Sequence, residues 1–381
     1  MKILHLMLGC FYIDNYSYQE NYLPKYHKAQ GNEVEIVASL VTFDKNGKAT
    51  LLPKASKYIN EYGIPVTRLD YRTGRLSKRL RRYVGLKEEL ERIKPELIFI
   101  HGVQFTDIGV VAKYCKAHSD VKVFADSHSD FSNSATNWTS KHILHRIIWR
   151  RCAKKINPFV TKFYGVLPAR VDFLIKEYKL PKEKVELLVM GADDERVAEA
   201  SASEVRQEIR EKYGLAEDDF VIMTGGKIDR NKTQVLLLME AVNKMAAPNI
   251  KLLVFGSVVP ELQEVFNSHL SSSVISIGWR KSERIYDEFA AADLIAFPGL
   301  HSVLWEQAVG MGKPCVFRKM DGFTHIDVGG NCAFFKEDTA ESYIQVLMET
   351  IQNADTMQKI AKEKGKPYFS YKKIAERALE E

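Results

Sequence analysis

The 381 residues are too many for one ordinary core and fit two domains of similar size. At 45% hydrophobic and 27% charged, the composition is that of a soluble globular chain, and no run approaches the roughly 18 to 20 apolar residues of a membrane span. The net charge of +6 is uneven, with 32 Lys+Arg against 22 Asp+Glu in residues 1–195 and 23 against 27 in residues 196–381, which makes the first half suited to an anionic partner.

The opening MKILHLMLG enters a strand pattern at once, without the long apolar core or small-residue cleavage site of a leader. Residues 3–8, 34–38, 97–100 and 121–124 are short apolar runs rich in Ile, Val, Leu and Phe, which predict buried strands. Helical spacing separates them, as in 86–93 and 110–118. Strands apolar throughout, alternating with helices, predict a parallel sheet covered on both faces. The pattern restarts at Phe220, where VIMTGG, IKLLVFGS, VISIGW, LIAFPG, PCVFRK and CAFFKE give six more strands, with helices over 236–245 and 283–291 the clearest between them. Two α/β domains are expected, 1–195 and 196–365, and then an isolated helix, 366–381, able to pack back across the first domain.

Ligands of open parallel sheets sit beyond the carboxyl ends of the strands, which gives meaning to the polar residues found there. After the first strand comes GCFYIDNYSYQ, where Tyr12, Asn15 and Tyr16 suit stacking and hydrogen bonding to a carbohydrate acceptor; a tyrosine-rich loop closing over a core fits equally well. His101 and His128 end two further strands, the latter beside Asp126 and Asp130. An imidazole near neutrality can orient or exchange a proton with a sugar hydroxyl, although a histidine held by one structural hydrogen bond is commoner. Asp126-x-His128-x-Asp130 lacks a partner cluster, so no metal is expected there, and His5, inside the first strand, reads as core.

Two basic clusters account for most of the first half's charge. The one from Arg72 to Lys94 holds nine basic and three acidic residues; the one from Lys141 to Lys155 holds six basic residues, two histidines and no acid. In KHILHRIIWRRCAKKI, Ile143 and Ile147 fall at helical spacing among the cations, with Trp149 beside them, as in a helix lying on anionic lipid; a solvated basic face is an equal reading. No nucleic-acid-binding module accompanies either cluster. The five cysteines (Cys10, Cys115, Cys152, Cys315, Cys332) are scattered and form no CxxC, which points to a reduced, cytoplasmic protein without structural zinc.

In the second half, VIMTGGKIDRNKTQ is a strand expected to stop at Gly225 and Gly226, followed by Lys227 and Lys232. Bare glycine backbone and two compact cations suit a phosphate group; a plain turn with solvated lysines is the equal alternative. PGLHSVLWEQAVGMGKP follows another strand end: Gly299 breaks the strand, a helix can begin within 302–309, and Glu306 lies about one turn inside it. A carboxylate there can accept two hydrogen bonds from a ribose diol, or be a first-turn glutamate favoured by the helix dipole.

Together these segments resemble the retaining nucleotide-sugar glycosyltransferases of family 4, which have the GT-B architecture of two Rossmann-like parallel-sheet domains facing across a cleft. The likeness covers nearly the whole chain and is best over 180–330. GGKIDRNK matches the family's Gly-Arg-Leu-x-x-x-Lys pattern with Lys227 in the arginine's place, Met190-Gly191-Ala192-Asp193 matches its interdomain turn, KLLVFGS and VISIGW match two further strand ends, and 298–314 corresponds to its Glu-x7-Glu segment. The resemblance implies that Gly226, Lys227 and Lys232 meet the donor diphosphate together with backbone N–H groups of Gly299, His301, Ser302 and Val303. It implies that Glu306 binds the ribose, that Gly278 and Trp279 border the nucleobase, and that His128 touches the donor sugar near the reacting centre. There are departures. Pro298 stands where the first glutamate would, leaving His301 as the nearest polar replacement, and one extra residue before Pro314 makes Gln307 a second candidate for the ribose.

The expected activity is transfer of a sugar, with retention, from a nucleotide diphosphate donor (a UDP-sugar first) to a glycan or polyisoprenyl-diphosphate-linked saccharide. The work would be surface polysaccharide synthesis by a protein peripheral on the inner face of the membrane. Neither cofactor nor metal is expected. A catalytically silent binder and a nucleotide-sugar epimerase are the alternatives.

Overall fold

The protein is described by a computed structural model covering residues 1–44, 48–281 and 284–380. It divides into two compact units, Met1–Val189 with Ile374–Glu381, and Met190–Lys373.

The first unit is built on an eight-stranded sheet. Its strands are β1 (Lys2–Met7), β2 (Glu33–Ala38), β5 (Ser56–Ile59), β6 (Pro65–Arg68), β7 (Leu97–His101), β8 (Lys122–Ser127), β9 (Lys162–Gly165) and β10 (Val185–Leu187), with β3 (Val41–Phe43) and β4 (Ala49–Leu51) forming a separate antiparallel pair. The order is β10-β9-β8-β7-β1-β2-β6-β5, parallel throughout except for β5 at the edge. The apolar runs predicted as strands are β1, β2, β7 and β8. Strands β5, β6, β9 and β10 escaped the pattern because they are three or four residues long and carry charges or glycine, as in SKYI, PVTR and KFYG. Helices cover the sheet through side chains such as Leu90, Ile93, Val111 and Cys115, which join Leu4, Leu6, Ile98 and Ile100 in one core.

The second unit holds β11 (Phe220–Ile228), β12 (Ile250–Val258), β13 (Val274–Gly278), β14 (Leu294–Phe297), β15 (Cys315–Arg318) and β16 (Cys332–Phe335), all parallel in the order β13-β12-β11-β14-β15-β16. These are the six predicted strands. One difference concerns length: β11 does not stop at its glycines but continues to Ile228. Gly226 pairs with Gly256 of β12, and a Cβ on Gly256 would stand 1.8 Å from the Gly226 carbonyl oxygen. The two strands continue side by side because neither carries a side chain there. Helices run over Gln234–Met245 and Ile285–Ala291; Glu283, expected in the latter, lies outside the described residues.

The C-terminal segment is not one helix. It runs over Lys366–Tyr368, breaks where Ser370 bridges to Ala192, and resumes over Tyr371–Arg377. Its end packs within the first unit, where Ile374 and Ala375 are fully buried, His27 Nε2 contacts the Ala375 carbonyl at 3.0 Å and Tyr164 donates to that of Arg377.

In both sheets the winding reverses at an inner strand, between β7 and β1 in the first unit and between β11 and β14 in the second. In open parallel sheets, the carboxyl ends at such a point are where ligands bind. In the first unit a buried cation fixes the loop at that point. Arg68, the last residue of β6, donates from Nη1 to the Tyr12 and Ser39 carbonyls (both 2.9 Å), from Nη2 to Asp14 (2.9 Å) and from Nε to Tyr58 (3.0 Å), with its guanidinium over the Tyr12 ring. Replacing it by an apolar side chain leaves the Tyr12 and Ser39 carbonyls without that donor and the Asp14 carboxylate with the Tyr58 hydroxyl but no cation. Arg68→Met is expected to lower the stability of the first unit by about 2–4 kcal/mol, measured as a fall in its urea midpoint; an unchanged midpoint would show that the loop does not depend on this hub.

Candidate functional site

In the second unit the sequence between β11 and the next helix folds as a tight turn. Asp229 accepts from the amides of Asn231 (side chain, 2.9 Å) and Lys232 (carbonyl, 2.9 Å), which turns the chain back over the strand end. This directs Lys232 across β14's end: a Cβ on Gly299 would lie 3.4 Å from Lys232 Cγ, and one on Gly226 would lie 3.9 Å from its Nζ. The two glycines make the bed for the lysine stem. Burial lowers the Lys232 pKa, with Asp229 partly offsetting it, and among the described residues no carboxylate pairs with it. A desolvated ammonium without a counter-charge favours an anion beside it. Lys227, on the last turn of β11, is exposed. Gly278 ends β13 in a left-handed conformation (φ 71°), and Trp279 after it is 64% exposed, an open ring face at the same edge.

Beyond Gly299, the residues His301, Ser302 and Val303 are half-buried and lead into the helix Leu304–Gly310. Trp305, Glu306 and Gln307 are buried. Glu306 Oε1 accepts from His301 Nε2 at 2.8 Å and from His325 Nε2 at 3.0 Å. Burial alone would raise its pKa, but the two imidazoles outweigh it and hold the carboxyl at about 2. The predicted ribose carboxylate thus lies out of solvent contact, with Oε2 unpartnered among the described residues, as is Gln307 Oε1. The donor atoms of His301, Glu306 and His325 lie within 4.8 Å of one another, the chemistry of a metal set, while the two distances are those of N–H···O bonds. His325 gave no signal in sequence: it lies 19 residues beyond Glu306 in a short turn.

In the first unit the loop after β1 passes close against the loop after β7, since a Cβ on Gly9 would stand 2.0 Å from the Gly102 carbonyl oxygen. Arg81, from the first basic cluster, ties them by donating to the carbonyls of Gly9 and Gln104. Of the predicted acceptor residues, Tyr12 is fully buried, its hydroxyl accepting from Asn60, and is committed to the core. Asn15 is exposed at φ 61°, and Tyr16 packs against Tyr18 and Phe43. His101 is also fully buried, which removes it from direct contact with an acceptor. Its Nδ1 lies 2.8 Å from Asp126 Oδ2, and its Nε2 lies 2.9 Å from His5.

His128, just past β8, is the half-buried imidazole at this end. Its Nε2 lies 3.6 Å from Asp126 Oδ2 and 3.8 Å from Glu20 Oε1. Burial works to lower its pKa, but the Glu20 and Asp126 carboxylates outweigh burial and raise it. Asp126 is fully buried; burial works to raise its pKa, and His101 and His128 hold it well below the usual carboxylate range instead. Glu20 was not singled out in sequence because its place depends on the helix Gln19–Ala29 packing beside β1.

The second basic cluster begins as a wide-turn helix, Ser140–Trp149, continued by Arg150–Ile156. His145 and Trp149 are buried, Leu144 and Ile148 pack on the core, and Ile143 and Ile147 point outward in register with Arg151 and Lys154. Trp138, before the helix, is 68% exposed.

Residues 219–353 match the protein family described as "Glycosyl transferases group 1". No curated protein sequence matches the chain. Among solved structures, a glycosyltransferase from Rickettsia africae ESF-5 is similar over 99% of this chain and 96% of its own, with 14% identity and a TM-score of 0.69. HepE from Anabaena in complex with UDP is similar over 99% and 98%, with 17% identity and a TM-score of 0.65. A UDP-GlcNAc 2-epimerase from Neisseria meningitidis bound to UDP-GlcNAc covers 100% and 98%, with 13% identity and a TM-score of 0.63. At such identities the likeness fixes the fold, which is GT-B.

A carboxylate held below its unfolded pKa adds stability above the unfolded value and loses it as pH falls towards the folded one. For Glu306 that window runs from about 4.5 down to about 2. Glu306→Gln is expected to flatten the fall in urea midpoint across this range while lowering the midpoint at neutral pH; parallel wild-type and variant curves would show that the carboxylate is not held ionised.

Proposed function

We propose that the protein is a retaining glycosyltransferase that moves a sugar from a nucleoside diphosphate donor to a hydroxyl of a glycan or lipid-linked saccharide. The observation that carries this reading is Lys232, desolvated and without a carboxylate partner, laid over Gly299 and Gly226 at the point where the second sheet reverses its winding. In the reaction, the bond from the anomeric carbon to the diphosphate oxygen breaks and a bond to the acceptor oxygen forms. The diphosphate leaves with the electron pair, and the acceptor proton passes to it. Lys227, Lys232 and the amides from Gly299 to Val303 stabilise that departing charge, which is worth more in a water-poor site than in solvent. Trp279 offers its ring to the base, and His128 orients a hydroxyl of the reacting sugar. UDP is the favoured nucleotide, since it is bound in HepE. His301 and His325 hold Glu306 in place for the ribose.

The outward Ile143 and Ile147, followed by Arg151 and Lys154 and preceded by the open Trp138, favour an anionic membrane surface for the acceptor-binding unit, and so a lipid-linked acceptor. Surface polysaccharide assembly is the process such a substrate serves. The epimerase reading is favoured by one observation, the equally full match to a UDP-GlcNAc 2-epimerase.

Lys232→Ala is expected to weaken UDP binding by about 10- to 100-fold, as loss of one charge-assisted contact implies, measured by titration calorimetry; unchanged affinity would remove the diphosphate site. Incubation with UDP-sugars and acceptor extract is expected to release UDP only with acceptor, whereas interconverted donor without acceptor would establish the epimerase and binding without release a silent protein. Flotation with liposomes is expected to require anionic lipid and to fall in Ile143→Asp/Ile147→Asp; equal flotation with neutral vesicles would sink the membrane reading.

A further inference from the structure

Three imidazoles and a carboxylate lie in series inside the first unit. His27 Nε2 faces the Ala375 carbonyl at 3.0 Å, His27 Nδ1 faces His5 Nε2 at 3.0 Å, His5 Nδ1 faces His101 Nε2 at 2.9 Å, and His101 Nδ1 faces Asp126 Oδ2 at 2.8 Å. All four side chains are buried to within 1% of full burial, and the rings lie roughly face to face, His5 within 28° of both neighbours. Each of the four contacts is too short for two lone pairs to meet without a proton between them.

Both ends of this series are acceptors. The Ala375 carbonyl can only accept, so His27 carries its proton on Nε2. His27 Nδ1 must then accept from His5 Nε2–H, and His5 Nδ1 from His101 Nε2–H. Three neutral imidazoles supply three protons, and four contacts need four. The remaining proton falls between His101 Nδ1 and Asp126. Burial pushes the basicity of His5 and His27 down, the latter to about 4, and neither touches a carboxylate among the described residues. Asp126, by contrast, has no donor within hydrogen-bond distance of either oxygen other than the His101 imidazole among the described residues, so a cation there is what makes its burial tolerable.

We propose that His27, His5, His101 and Asp126 form one proton-sharing chain, oriented by the C-terminal helix through the Ala375 carbonyl, that holds one proton more than three neutral imidazoles and thereby sets the charge His128 faces. His5, His27 and His101 are positioning residues that act through Asp126. While the chain holds its extra proton, it is uncharged overall, an imidazolium against a carboxylate. The charged groups around His128 from the neighbouring elements are Asp126 on β8, Glu20 on the helix Gln19–Ala29 and Arg170 on Pro168–Lys176, with the Cys10 thiol after β1 close to both carboxylates. Losing the extra proton leaves Asp126 as an uncompensated anion beside His128 and makes His128 more basic. The chain rests on the proposed function only in that His128 serves the transfer; its protons are read without any turnover.

The test is nitrogen-15 NMR of the full chain labelled in its imidazoles. The expected result in the wild type at neutral pH is two protonated ring nitrogens on His101 and one, Nε2, on each of His5 and His27. One proton on each of the three would overturn the proposal. His5→Phe cuts the chain, frees His101 to turn a single proton towards Asp126, and is expected to shift the His128 titration upward. An unshifted His128 in the folded variant would overturn the coupling, as a merely structural His5 predicts. Should His5→Phe fail to fold, His27→Gln serves instead: its amide keeps a donor for Ala375 and an acceptor for His5, so His101 is expected to stay doubly protonated and His128 unshifted. A singly protonated His101 in that variant would count against orientation from the C-terminal helix. Retained chain protons with unchanged UDP affinity in Lys232→Ala would sink the transferase reading alone.

Discussion

A charge taken out of water must find an opposite charge or a proton close by, and the polar interior of this protein is arranged around that constraint. Parallel sheets covered on both faces leave their strand ends as the place where polar side chains and backbone meet. At those ends two carboxylates, Asp126 and Glu306, are fully buried, and each is met by imidazoles instead of lysine or arginine. An imidazole can donate one N–H while neutral, or take up a second proton and meet a carboxylate as a cation, a choice that arginine lacks. Glu306 takes two such donors, and Asp126 takes the end of a chain reaching to the C-terminal helix.

Cations are placed by a different rule. Arg68, fully buried, spends its planar fork on two carbonyls, a carboxylate and a phenol, which is the multivalent geometry a lysine lacks. Lys232 is the opposite case, a single point charge half out of water with glycines beneath its stem and no carboxylate to answer it among the described residues. The first arrangement is complete in itself and reads as structure; the second is incomplete and reads as a site. Backbone follows the same division: Gly9 against Gly102 and Gly226 against Gly256 are approaches closer than any side chain permits, and both occur beside a switch point.

The strands that lie in the middle of each sheet were legible because a strand buried on both faces must be apolar at every position. All six strands of the second sheet, its edge strands β13 and β16 included, and β1, β2, β7 and β8 of the first contain a short apolar run of that kind. The short strands β5, β6, β9 and β10 do not, since three or four residues broken by charges or glycine leave no pattern. The phosphate-type loop could be read because its chemistry is local: two glycines and two lysines lie within eight residues. Tyr12 and His101 were read as contacts for an acceptor, but both are consumed by the core, because whether a polar side chain at a strand end faces solvent depends on which other strand end lies beside it.

The sequence by itself determined two parallel-sheet units, their central strands and the glycine-lysine loop, since each follows from residues near one another in the chain. The tertiary structure alone decided which buried groups answer one another: His5 with His27 and His101, Glu306 with His325, His27 with Ala375. Those contacts join positions up to 348 apart in the chain, and a histidine carries the same letter whether it caps a loop, donates to a carboxylate or passes a proton's orientation to its neighbour. Its role is fixed by what stands at each ring nitrogen, and only the packed fold sets that.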